Sequence, residues 1–150
     1  MRIKEREIKD RKDVEKILRE SRVCRLAMVD GDKPYVVPLN FGYKDGFLFF
    51  HSAKEGRKID LIKKNPNVCF EVDKLIRLKK AKCACDFGIE YKSVIGSGTA
   101  EFLDDLEEKI EGLNAIMSQY SGRQFEYTNK MLEKTIVIKV TIDTMTGKQS

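Results

Sequence analysis

Between Tyr35 and Asp73 the chain reads YVVPLNFGYKDGFLFFHSAKEGRKIDLIKKNPNVCFEVD, and the chemistry it offers is concentrated at His51-Ser52 and Arg57-Lys58. Ser52-Ala53-Lys54-Glu55 has capping-box spacing, so a helix is expected to begin near Ala53 and to carry Arg57 and Lys58 in or near its first turn. Helix starts expose backbone N–H groups that have no internal partner. With a hydroxyl and two cations beside them, they suit a phosphate. Charge-assisted hydrogen bonds contribute roughly 1.5–3 kcal/mol each, and the helix dipole adds about 0.3–1 kcal/mol. A micromolar ligand needs about 8 kcal/mol, so phosphate contacts supply a good part of that and burial of an aromatic ring would supply the rest. The same residues also describe an ordinary capped helix with a solvated basic face.

His51 is the single histidine. An imidazole titrates near neutrality and suits proton transfer, but a histidine here could equally order the helix cap or pack on Phe41. Of four cysteines, Cys24 and Cys69 fall in apolar strand patterns, where a thiol acts as a small hydrophobe. Cys83 and Cys85 form a C-x-C, which lacks the spacer of common zinc knuckles, so no metal site is expected. Gly96-Ser97-Gly98 lacks the third glycine of a dinucleotide fingerprint and has Glu101 in its place. These glycines are read as a bulge or a close backbone approach.

The elements that must position these groups follow from periodicity. Asp10 to Arg22 is expected to be a helix capped by Asp10, with Val14, Ile17 and Leu18 as its apolar face. Cys24 to Asp30 alternates as a strand, and Tyr35 to Tyr43 is a second strand. Pro38 demands that this second strand be an edge or carry a bulge. Asp45-Gly46 marks a hairpin turn onto a strand from Phe47 to Ser52. The helix through Ile59, Leu61 and Ile62 should stop at Asn65-Pro66. Val68 to Asp73 is the next strand, and the basic stretch Lys74 to Lys82 reads as a solvated loop. Tyr91 to Phe102 is a strand. Leu103, Leu106, Ile110, Leu113, Met117 and Tyr120 have helical spacing. Residues 121–134 read as a loop then a short helix, and Thr135 to Asp143 as a final strand with a polar tail. The expected fold is α+β, mainly β: one domain over residues 1–150, built as a small antiparallel barrel with flanking helices.

Composition narrows the partners. A net charge of +5 with acidic residues interspersed gives no single basic stripe, so nucleic acid is not expected as a partner. The alternative use of Phe41, Tyr43 and Phe49 with the Lys74–Lys82 run would reveal itself as strongly salt-dependent oligonucleotide binding. The opening MRIKEREIKDRKD contains no apolar signal region, and the apolar runs are only strand-sized. No membrane span and a cytoplasmic location with reduced thiols are therefore expected.

Four segments in order, VPLNFGY, FHSAKEGRKID, NPNVCFEVD and YKSVIGSGTAEF, together with TIVIKVTIDTMTGK, resemble the flavin-binding split-barrel superfamily related to pyridoxamine 5′-phosphate oxidase. Within it the chain is similar to the Nim-type (nitroimidazole-resistance) branch. The resemblance implies a six-stranded split barrel and a homodimer with FMN at the subunit interface. It assigns the FMN phosphate to Ser52, Ala53, Arg57 and Lys58, and the isoalloxazine to Pro38, Leu39 and Asn40. Phe50 and His51 would lie beside the ring or ribityl chain, with His51 as the catalytic candidate. Tyr91, Ser93 and Val94 would come from the second subunit. The implied activity is an oxidoreductase taking electrons from a reduced nicotinamide or protein donor to a small organic acceptor, with a nitro compound as one option. A flavin- or haem-binding protein without turnover is the alternative. The chain has no Trp and lacks the basic C-terminal substrate segment of true pyridoxamine-phosphate oxidases, so oxidation of that vitamer is not expected.

Overall fold

The computed structural model describes residues 4–150. After a 3-10 turn and the two-residue strand β1 (Glu7–Ile8) comes helix α1 (Arg11–Glu20). Strands β2 (Cys24–Asp30), β3 (Lys33–Leu39), β4 (Gly42–Lys44) and β5 (Phe47–Ala53) precede α2 (Arg57–Lys64). Then follow β6 (Asn67–Lys79), β7 (Gly88–Leu103), α3 (Leu106–Tyr120), α4 (Asn129–Lys134) and β8 (Thr135–Gln149). One antiparallel sheet runs in the order β3-β2-β6-β7-β8-β5-β4, with β1 added to β8. This is the expected α+β split barrel, but with eight strands rather than six. No helix among the described residues is long and apolar enough to cross a membrane.

The two extra strands have local causes. The run from Tyr35 to Tyr43 is not one strand. It leaves β2 after Leu39 and re-pairs with β5 from Gly42. The second extra strand is the short N-terminal β1. Pro34 and Pro38 are accommodated because β3 is an edge strand. Asp45 and Gly46 close the β4–β5 hairpin with φ of 49° and 88°, the left-handed pair a two-residue turn requires.

Two expected loops are strands. The Lys74–Lys82 stretch continues β6 to Lys79, paired with β7 back to Gly88, so the basic run lies largely on a two-stranded arm. The expected polar tail continues β8 to Gln149, because Thr144 and Thr146 pair with Ser97 and Ile95. The register of β7 against β8 shifts between Ser97 and Gly98, the bulge expected there. A Cβ at Gly98 would stand 2.2 Å from the Thr141 carbonyl, and one at Gly96 2.4 Å from the Phe70 ring, so both positions require glycine.

Side chains of the sheet's inner face fill the barrel with Leu26, Leu48, Phe50, Phe70, Val94 and Ile138, and α1 adds Val14, Ile17 and Leu18. A smaller cluster lies on the outer face, where α3 covers Phe49, Leu103 and Val137 with Ala115 and Ile116. Outside that cover, the outer face of β3, β2, β6 and β7 carries exposed Val36, Val29 and Ile95.

Candidate functional site

The sheet has two free edges, β3 and the β4–β5 side, and the chain brings them together at both ends of a split. At one end the connection Asn40–Phe41 crosses directly from β3 to β4. Tyr120 holds this crossing: its hydroxyl accepts from the Phe41 N–H at 2.9 Å and donates to the Arg22 carbonyl at 2.7 Å. Beside it the buried Gln119 amide donates to the carbonyls of Leu18 (2.7 Å) and Ser21 (2.8 Å), at the end of α1.

At the other end, Arg57 of α2 closes onto the β2–β3 turn. Its guanidinium is 3.0 Å from the Asp30 carboxylate, with Cζ 4.5 Å from the Tyr35 ring centroid. Between these ends β5 pairs with β8 throughout, but β4 reaches only Phe47–Phe49 on its other side. The backbone edges of Phe50–Ala53 and of β3 therefore face the split without a strand partner. Such edges offer N–H and C=O groups to a planar ligand with a polar rim.

Helix α2 begins four residues later than Ser52-Ala53-Lys54-Glu55 implied. Its N-cap is Gly56, at φ 131°, and no side chain caps it. The capping box does not form because Ser52 and Ala53 stay paired in β5 with Ile136 and Thr135. Gly56 then makes a turn that an L side chain rarely adopts. The Gly56 carbonyl accepts from Ile59 (2.9 Å) and Asp60 (3.2 Å). Among the described residues, the N–H groups of Arg57 and Lys58 have no backbone or side-chain acceptor. Lys58 is half-buried and, among the described residues, has no carboxylate partner. Burial pushes its ammonium below the ordinary lysine range, and an anion docking here would supply the missing counter-charge.

The predicted residues separate by strand parity. Pro38 and Asn40 are exposed on the outer face at one end of the split, with Leu39 turned inward and half-buried. His51 and Ala53 are exposed, whereas the Phe50 ring is fully buried and packs on Phe41 with centroids 6.4 Å apart. Phe50 and the buried Ser52 can therefore offer a surface ligand only their backbone. His51, on the face opposite to Phe50, neither caps α2 nor joins the Phe41 packing. Tyr91 and Ser93 lie on the outer face of β7, and Val94 is buried inward. Strands β2 and β6 stand between them and the split, so one chain does not bring these three residues to it. Tyr91 has its hydroxyl pulled down by the hydrogen-bonding Lys148 ammonium.

Sequence reasoning missed Asp30 and Tyr35, which hold Arg57, and the pair Gln119-Tyr120. Pro34 and Pro38 signal that β3 is irregular or an edge; nothing local in the sequence marks these four residues as partners. From Tyr35 to Pro38 is about 10 Å along an extended strand. The split is thus an open strip with a basic end at Arg57 and Lys58 and a backbone-lined end. Cavities of about 660 and 570 Å³ open elsewhere, against Glu7–Lys9.

Known proteins with this arrangement are informative. A candidate 5-nitroimidazole antibiotic resistance protein from Bacteroides thetaiotaomicron is 35% identical, with a TM-score of 0.87 over 95% of this chain and 86% of that one. An FAD-binding protein from Mesorhizobium loti is 26% identical, with a TM-score of 0.73 over 97% of each chain. An FAD- and haem-binding protein from Mycobacterium smegmatis shares the fold, with a TM-score of 0.87 at 19% identity over 97% of this chain and 73% of that one. No curated protein matches this chain. The family model described as pyridoxamine 5′-phosphate oxidase matches residues 10–149, and the chain belongs to that family.

Proposed function

We propose that this protein is an FMN-binding oxidoreductase, working as a homodimer with the flavin laid along the split. The observation that carries this reading is the half-buried Lys58, which among the described residues has no carboxylate partner, beside Arg57 and two N–H groups without an acceptor there. That set fits one phosphate. The backbone-lined strip from Tyr35 to Pro38 fits the ribityl chain and ring edge of a flavin. FMN, when bound, supplies reversible redox chemistry. Among the chain's own residues, Arg57 and Lys58 hold the phosphate. Backbone groups at Pro38–Asn40 and at Phe50–Ala53 orient the ring. The exposed His51 imidazole stands ready to give a proton to the reduced acceptor.

The electron donor in this reading is a reduced nicotinamide or a protein, and the acceptor a small organic molecule. The 35% identical relative connected with 5-nitroimidazole resistance makes a nitro compound the first acceptor to try. Tyr91 and Ser93, remote from the split within one chain, are the residues a second subunit would bring to it.

A second reading, haem or flavin binding without turnover, is favoured by one observation: the sole histidine is exposed beside the split, where it is free to ligate iron. Visible absorption of the purified protein after incubation with FMN, or with haem, and removal of excess separates the two. Retained flavin at one per chain is expected. Arg57→Ala with Lys58→Ala should then weaken FMN at least tenfold and leave the fold intact, as two charge-assisted contacts are lost. Retention of haem alone, or unchanged FMN affinity in the double variant, overturns the assignment.

A further inference from the structure

The β6–β7 arm carries an exposed apolar strip, Leu75, Leu78 and Ile89 being 61%, 51% and 54% exposed, and its register shows how the strip is made. Leu75 pairs with Tyr91, Ile76 is bulged out, and Leu78 pairs with Ile89. Without the bulge Leu78 would point to the opposite face from Leu75. With it, Leu75, Leu78, Ile89 and Tyr91 share one side, the one that continues into Ser93 and Ile95 on the bare outer sheet. The other side carries the polar groups: Lys74 bonds Glu20 of α1, and Arg77 pairs with Glu90.

The ends of this surface carry opposite charge. The arm tip presents Lys79, Lys80 and Lys82, all exposed, against a single acid, Asp86. At the other end of β7, where α3 rises off the same outer face, Asp104, Asp105, Glu107 and Glu108 are exposed. The nearby Lys109 ammonium is turned onto the Leu132 carbonyl, 2.8 Å away.

Two copies meeting face to face in a closed pair are related by a two-fold axis lying in the interface. An axis along the strands sets arm beside arm and lysine against lysine. An axis across them sets each arm against the partner's opposite end, lysine against carboxylate. The sheet face alone is also small. From β3 to β7 it spans about 15 Å, and from Asn67 to Asp73 about 20 Å. In projection that falls well short of the ~800 Å² per partner of a standard interface.

We propose that the β6–β7 arm is the docking element for a second copy of this chain, laid antiparallel so that the Lys79-Lys80-Lys82 tip of one protomer meets Asp104, Glu107 and Glu108 of the other. This rests on the homodimer reading above and adds the arrangement. It also places the apolar strip of each arm over the partner's outer face.

Sedimentation equilibrium tests the proposal without reference to activity. The variants are Lys79→Glu/Lys80→Glu/Lys82→Glu and Asp104→Lys/Glu107→Lys/Glu108→Lys, which spares the helix cap at Asp105. Each alone should weaken the wild-type dimer about tenfold at 0.15 M salt, and an equimolar mixture should form a heterodimer within threefold of wild-type strength. The wild-type dimer itself should weaken between 0.05 and 0.5 M salt as the pairs are screened. A dimer unchanged in either variant, a mixture with no recovery, or a wild-type constant indifferent to salt overturns the arm arrangement and leaves the homodimer standing. A wild-type chain that stays monomeric at 100 μM overturns both.

Discussion

In its first half β6 alternates buried Val68, Phe70 and Val72 with exposed Asn67, Cys69 and Asp73; in its second half Leu75, Ile76 and Leu78 are 61%, 52% and 51% exposed. Both halves are rich in large apolar side chains and both pair with β7. The difference is what lies behind them. Phe70 and Val72 face the barrel interior, filled by residues of five other strands and α1. Behind the second half, among the described residues, lie its hairpin partner, the rim of an open cavity against α1 and the end of β8, but no buried apolar cluster. A two-stranded ribbon cannot bury its own apolar face. Alternation in a strand reports a face to be covered, while the covering element is chosen elsewhere in the chain.

The covered half of β6 is most sensitive at Phe70. Phe70→Ala should cost about 3–5 kcal/mol in urea denaturation, because the ring is fully buried and touches the space that Gly96 leaves open. A loss below 1 kcal/mol would mean the barrel interior is looser than described. Next comes Gln119→Ala, which takes a donor from the buried carbonyls of Leu18 and Ser21, Leu18 keeping only the Ser21 N–H at 3.3 Å, and should cost about 1–3 kcal/mol. Because Gln119 and Tyr120 fix the Asn40–Phe41 crossing, FMN affinity should fall with it. Preserved affinity would show that this end of the split is held by other contacts.

Lys58→Met carries a predicted sign. Burial depresses the Lys58 pKa, so the folded, ligand-free chain holds that proton less well than the unfolded chain. The penalty is full at pH values below the folded pKa and fades as pH rises towards the ordinary lysine value. The variant should therefore be slightly more stable than wild type at pH 7 without ligand, with the advantage shrinking towards pH 10, while FMN binds several-fold more weakly. Thermal melts across that range check the sign, and a less stable variant at pH 7 would remove the role given to burial.

The smallest effect belongs to the arm. Leu78→Ala should change monomer stability by less than about 0.5 kcal/mol, since most of that side chain is already in water. Thiol labelling sharpens the same contrast: Cys69, Cys83 and Cys85 are exposed, whereas burial pushes Cys24 up to about 12. Three thiols should react in the native monomer and the fourth only on unfolding. A fast-reacting Cys24 would contradict its place beside Leu26 in the core.

Local signals specified much of this. The Asp10 cap, the Asp45-Gly46 turn, the edge or bulge demanded by Pro38, the stop at Asn65-Pro66 and the bulge near Gly96 and Gly98 each depend on a few neighbouring residues whose backbone preferences are strong. Arg57 and Lys58 could be picked out because their type and spacing imply an anion. Ser52 shows where such reading fails. The same four residues satisfy a capping box and a strand end, and pairing with Ile136, some eighty residues away, chose the strand. The burial of Phe50 against the exposure of His51 was likewise open until parity was fixed by the ladder to β8.

Six strand regions, the Asp45-Gly46 turn, the Asp10 cap and a basic first turn in α2 follow from the sequence alone, because these rest on the chemistry of adjacent residues. That the two sheet edges meet to form a split, that Asp30 and Tyr35 hold Arg57, and that Lys58 is half-buried with no carboxylate partner among the described residues follow only from the tertiary structure. Those are distances between residues remote in the chain. Sequence order carries no information about such distances until the sheet has rolled up and its register is set.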